Sequence, residues 1–113
     1  MDKVFEVNLL YDFYGSLLTQ RQQKYIDLYY GNDYSLGEIA ENFEVSRQAV
    51  HDTLKRAEQL LIGYECKLGL FEKFIEQRRQ LNEMAILLND NGELFSERLA
   101  RAREILQELL DRG

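Results

Sequence analysis

Apolar positions recur at helical spacing along the whole chain. Val4, Val7, Leu10, Tyr14 and Leu17 follow one another at intervals of three and four. That stripe is amphipathic and predicts a first helix from about Asp2 to Tyr14, stopped by Gly15-Ser16. Thr19 and Gln22 form a capping box that opens a second helix, with Ile26, Tyr29 and Tyr30 toward its inner side. Gly31 to Asp33 supplies turn chemistry at its end. Ser35 and Glu38 repeat the capping box before a short helix that reaches about Phe43. Ser46 is the next N-cap and starts a long helix. A break or kink is expected near Gly63 or Gly69, because glycine costs a helix interior about 1 kcal/mol. Phe71, Phe74, Ile75, Leu81, Met84 and Leu88 form a fifth stripe, and Asn89 to Gly92 reads as a loop. A sixth helix is expected from about Leu94 to Asp111. Its Phe95, Leu99, Ala102, Leu106 and Leu109 alternate steps of four and three, a heptad seam too short to stand without a partner. No stretch alternates with period two, so the fold class is all-α.

The segment Tyr34 to Leu61 has the punctuation of a helix-turn-helix. Ile39 and Ala40 face inward on the short helix, with Ala40 small where the next helix crosses. Val45 plugs the turn, and Val50, Leu54, Ala57 and Leu61 carry the inner face of the long helix. The expected core of this unit is Ile26, Tyr30, Ile39, Ala40, Val45, Val50 and Leu54. The outward positions are then Arg47, Gln48, His51, Asp52 and Lys55, where a recognition helix meets base edges. Arg47 suits bidentate contact to guanine and Gln48 to adenine. Lys55 and Arg56 add positive charge, and protonation of His51 would add more. Arg21 and Lys24, with the helix start at Ser35, are candidate backbone anchors. The candidate nucleic-acid-binding set is therefore Arg47, Gln48, His51, Lys55, Arg56, Arg21 and Lys24.

Leu18 to Leu61 resembles region 4 of bacterial sigma factors. The matching elements are Leu18-Thr19, Arg21-Gln22, Leu28, Tyr30, Ser35, Glu38-Ile39-Ala40, Val45-Ser46, Val50, Leu54 and Arg56-Ala57. Over its whole length, with an aromatic first helix and an acidic-basic helical tail, the chain is similar to the YlxM family of small helix-turn-helix proteins. That resemblance implies a regulatory or accessory role in the signal recognition particle pathway. Glu44 departs from the common helix-turn-helix pattern, standing where glycine often supplies a left-handed turn. A non-glycine residue there costs roughly 1 kcal/mol.

Charge works against the nucleic-acid reading. The 113 residues carry a formal net charge of -6, whereas nucleic-acid binders usually present a basic footprint. Phosphate contacts supply most nonspecific affinity, so DNA or RNA binding must be local to a few positions. Three readings stand: a DNA-binding regulator, an accessory contacting signal recognition particle RNA or its GTPase, and an interaction protein whose helix-turn-helix is only a scaffold. Arg78-Arg79 with Arg98, Arg101 and Arg103 offer a second basic surface on a C-terminal hairpin, for RNA or an acidic partner.

Other chemistry is thin. His51 is the lone histidine and Cys66 the lone cysteine, so neither a catalytic nor a metal cluster is expected, and no cofactor. Cys66 reads as a buried or half-buried small apolar residue. The chain reads as a non-enzyme, without membrane insertion, in a reducing cytoplasm. Residues 1–63 are expected to form the helix-turn-helix domain and 64–113 a C-terminal helical extension. The first helix, with Val4, Phe5, Val7, Leu9, Leu10, Tyr11, Phe13 and Tyr14, holds more apolar surface than one neighbour covers. That surface and the last helix's seam point to a homodimer.

Overall fold

Both capping boxes form. Gln22 N–H donates to Thr19 Oγ1 (3.1 Å) while Thr19 N–H donates to Gln22 Oε1 (3.0 Å). Ser35 and Glu38 repeat the exchange, at 3.0 Å in each direction. Ser46 Oγ accepts from Ala49 N–H at 3.0 Å. These local bonds satisfy the orphan donors that a helix start leaves, and they place three of the helix boundaries. The computed structural model describes residues 2–89 and 95–112. It contains α1 (Lys3–Tyr14), α2 (Gln20–Ile26), α3 (Leu36–Phe43), α4 (Arg47–Leu68), α5 (Leu70–Asn89) and α6 (Phe95–Arg112). No strand occurs among the described residues. The expected loop falls mainly on residues 90–94, and the expected start of the last helix on Leu94, outside the described residues.

The chain divides into two compact units, Met1–Phe71 and Glu72–Gly113. The first runs eight residues beyond the boundary expected at 63/64. Gly63 does not interrupt α4, which ends instead at Gly69 in the left-handed conformation (φ 61°). Tyr14 and Glu65 then hold the next turn. The Tyr14 hydroxyl donates to Glu65 Oε1 (2.6 Å) and accepts from Leu70 N–H (3.0 Å). Glu65 Oε1 also accepts from Phe71 N–H (3.0 Å), and Phe71 packs edge-on against Phe13.

The first unit is built around α4, whose Val50, Leu54, Ala57 and Leu61 are buried against α1, α2 and α3. Ile26, Tyr30, Ile39 and Ala40 join them as expected. Val45 is only half-buried, because it sits at the rim of the turn rather than beneath it. In the first stripe Val7, Leu10 and Tyr14 are buried, but Val4 and Leu17 are exposed and Leu18 takes the inner place. The reason is a short 3-10 turn at Gly15–Leu17. Its three residues per turn advance the phase faster than an α-helix does. Glycine is needed there: a Cβ on Gly15 would come within 2.8 Å of the Tyr11 ring. Helix α2 ends in a single π turn, Asp27–Gly31, closed by Tyr34 N–H donating to Leu28 O (2.9 Å).

In the second unit, Ala102 and Ile105 of α6 and Gln80 of α5 are the buried residues among those described. Ile105, rather than Leu106 of the expected seam, lies inward, because the inner face follows the 3.6-residue turn rather than a strict heptad. Phe95 of that seam is also exposed. Gln80 Nε2 donates to Glu108 Oε2 at 2.9 Å across the hairpin. Among the described residues, no helix is long and apolar enough to cross a membrane.

Candidate nucleic-acid interface

The turn between α3 and α4 fixes the candidate reading surface. Val45 N–H donates to Ala40 O (3.0 Å) and Glu44 N–H to Glu41 O (3.3 Å), the paired bonds of a Schellman ending. Glu44 holds φ 55° and ψ 44°, the left-handed turn expected there. Helix α4 then leaves Ser46 with Val50 and Leu54 pinned inward, and its opposite side is forced outward by the helical repeat. Gln48, Asp52, Lys55 and Arg56 are exposed on it, with His51 at its edge, whereas Arg47, about two helical turns before Leu54, is exposed at the helix start beside α3.

The face is not uniform. Asp52 sits in its middle, where Oδ1 accepts from Gln48 Nε2 (2.9 Å) and lies 3.4 Å from His51 Nδ1. The carboxylate orients both side chains, and it also places a negative charge among the candidate contacts. Arg21 and Arg56 come together around a hollow of about 330 Å³ lined also by Thr19, Gln22, Asp52 and Thr53. The Arg21 guanidinium is held there over the rings of Phe43 (5.8 Å) and Tyr25 (6.0 Å). Arg47 borders a separate open hollow with Gly37, Glu38, Glu41 and Glu44. Backbone and side-chain bonds from Ser35 hold the Glu38 carboxyl below its ordinary range, which keeps that rim anionic. Lys24 is exposed on α2 and lines none of these hollows.

His51 and Lys55 flank a third hollow, of about 160 Å³, with Lys3, Tyr29, Tyr30 and Glu58. The pairing of Lys3 with the buried Glu58 is not legible in the sequence, since nothing in a linear pattern brings α1 onto α4 at that point. They form an ion pair at 2.8 Å. The hydrogen bond to Glu58, then its charge, raises Lys3 above its ordinary 10.5. Burial, then Glu58, pushes the Tyr30 phenol far up from 10.0. Burial, then the bond to Glu65, raises Tyr14. In all three the fold favours the protonated form. Their contribution is therefore complete below about pH 10 and is lost as pH climbs through the raised values. The thermal midpoint should hold level from about pH 7 to 9 and fall above about pH 10. A melt followed by circular dichroism that stays level to about pH 11 would contradict this pairing.

Two of the C-terminal arginines, Arg79 and Arg101, are taken up in ion pairs within the hairpin. Arg79 binds Glu76 (2.7 Å) and Glu83 (3.6 Å), and Arg101 binds Glu83 (3.0 Å) and Glu104 (3.2 Å). Cys66 is exposed rather than buried, because it lies more than a turn past Leu61, on the other side of α4.

Residues 1–109 match the family model described as "UPF0122: Putative helix-turn-helix protein, YlxM / p13 like". A UPF0122 protein of Desulforamulus reducens is 54% identical, over 99% of this chain and 97% of the relative. One from Bacillus mycoides is 47% identical, over 96% and 98% of the two chains. One from Exiguobacterium is 62% identical over 72% of this chain and 75% of its own. The chain belongs to this helix-turn-helix family.

Proposed function

We propose that this member of the YlxM-like helix-turn-helix family is a non-enzymatic, cytoplasmic regulator that binds nucleic acid through the first three turns of α4. The observation that supports the reading is the exposure of Gln48, His51, Lys55 and Arg56 on α4 away from the core residues Val50 and Leu54, with Arg47 exposed at the helix start beside α3. Arg47 and Gln48 are base readers in this arrangement. Lys55 and Arg56 neutralise phosphate, with Arg21 joining Arg56 and Lys24 standing as an outlying anchor. Arg21 is the better anchor of the two, since its aromatic seat pre-orders it. As a homodimer the chain presents two such helices, which suits a two-fold target.

The anionic surroundings make the affinity weak. With roughly three to five phosphate contacts per protomer, binding should fall steeply with salt, by about 0.9 in log-log slope per contact on duplex DNA. The test is fluorescence anisotropy at two salt concentrations, with random and selected duplex DNA in one arm. The other arm uses signal recognition particle RNA, the target the family resemblance implies. Asp52 gives the sharper check. Asp52→Asn keeps the side-chain size and removes the central negative charge, so affinity for every duplex should rise several-fold. An unchanged or weaker affinity would place the nucleic acid away from α4. That outcome would favour an accessory protein of the signal recognition particle, touching its RNA or GTPase, with the helix-turn-helix as scaffold.

A further inference from the structure

We infer that two copies of this chain pair through the apolar side of the α5–α6 hairpin, antiparallel along Phe74, Leu81 and Leu88, with the two-fold axis at Leu81. This deepens the homodimer reading and rests on it, but it requires no nucleic acid.

The hairpin has two unlike sides. On one, Glu76, Arg79 and Glu83 of α5 interlock with Arg101 and Glu104 of α6. Leu81 and Leu88 lie about a quarter turn from the buried Gln80, on the side away from Arg79 and Glu83. Because α6 runs antiparallel to α5, Leu106 and Leu110 fall on the same side as Leu81. Those residues remain partly exposed: Leu81 is 48% exposed, Leu88 45%, Leu106 47%, Leu110 65% and Phe74 45%. Beneath them, the described residues of this unit bury only Gln80, Ala102 and Ile105. At ~150–200 Å² for a large side chain, on the order of 400–500 Å² of apolar surface faces water per protomer. That is about half of the roughly 800 Å² one partner contributes to a stable interface.

The spacing on α5 identifies the occupant as a second copy. Phe74, Leu81 and Leu88 are evenly placed, with Gln77 and Ala85 symmetrically between them. Reversed about Leu81, the stripe maps onto itself. Leu81 meets the partner's Leu81, Phe74 meets the partner's Leu88, and Gln77 meets the partner's Ala85, which is small enough to admit it. Arg78 then lies beside the partner's Met84, not the partner's Arg78, so no like charges are forced together. A self-complementary patch of this kind is what an isologous two-fold interface needs, and an unrelated partner would not require the symmetry.

The experiment is cysteine cross-linking in a Cys66→Ser background, paired with sedimentation of the full chain. Leu81→Cys should form a covalent dimer under mild oxidation, because a residue on the axis meets its own copy at disulfide distance. Ile86→Cys, on the opposite side of α5 and 71% exposed, should form several-fold less. Leu81→Lys should convert a dimer at tens of micromolar into a monomer while helix content is kept. If that variant loses helix, the cross-linking pair decides. A wild-type monomer would overturn both this surface and the homodimer reading. A dimer that cross-links through Phe5→Cys on α1 and not through Leu81→Cys would overturn this surface alone.

Discussion

Replacing Arg47 and Lys55 together by alanine should weaken binding to nucleic acid by about 10- to 100-fold, the loss of one base-reading arginine plus one phosphate contact. The two single variants should fail differently. Arg47 borders Glu38, Glu41 and Glu44, so a passing phosphate gains little there. A base edge offering paired acceptors gains more. Arg47→Ala should therefore relax sequence preference. Lys55 stands across the face beside Lys3 and His51. Lys55→Ala should weaken all sequences alike and flatten the salt slope by about 0.9. Anisotropy at two salt concentrations separates the two. A double variant that binds every nucleic acid as the wild type does would leave α4 without a role in binding.

What the sequence made legible here is what short-range chemistry decides. The capping pairs Thr19/Gln22 and Ser35/Glu38 are three residues apart, and both form. The left-handed Glu44 falls where the helix-turn-helix pattern often has glycine, and the tight turn forms there although glycine is absent. Val50 and Leu54 had to be buried once the helical repeat was accepted. Helix phase was lost where the repeat itself changed. The 3-10 turn put Leu18 inside in place of Leu17, and the π turn at Asp27–Gly31 has no counterpart in an apolar count. A break near Gly63 or Gly69 was legible, and it comes at Gly69; which of the two was not, since the bonds that hold the following turn come from Tyr14, far back along the chain.

The candidate face was legible as a list and not as an arrangement. Every one of its seven residues is exposed, which follows from their polarity and the inward period. That Arg21 would share a hollow with Arg56 while Lys24 stood apart depends on how α2 crosses α4. The part played by Asp52 depends on rotamers, because one Oδ1 gathers both Gln48 and His51. That Glu58 is buried beneath Lys3 and Tyr30 depends on where α1 meets α4. Long-range pairing of this sort leaves no period in a sequence.

Two neighbouring substitutions on α3 should damage the first unit in opposite ways. Ile39 is fully buried, so Ile39→Ala removes packed volume that the surrounding helices cannot refill, at a cost of about 2–5 kcal/mol. Ala40 is buried where α3 crosses α4, and its carbonyl accepts the bond that ends α3. Ala40→Leu inserts volume there and should cost about 1–3 kcal/mol. Against a whole-domain stability of about 5–15 kcal/mol, either loss is large. The chain has its own reporter for this. All seven tyrosines lie at or before Tyr64, inside the first unit, and there is no tryptophan. Tyrosine emission therefore follows the first unit alone, while far-ultraviolet circular dichroism follows both. The tyrosine midpoint should drop by roughly 10–20 °C for Ile39→Ala and by about 5–15 °C for Ala40→Leu. A tyrosine midpoint that stays in place for both variants would mean that α3 does not pack on α4 as described, and the reading face would lose its footing with it.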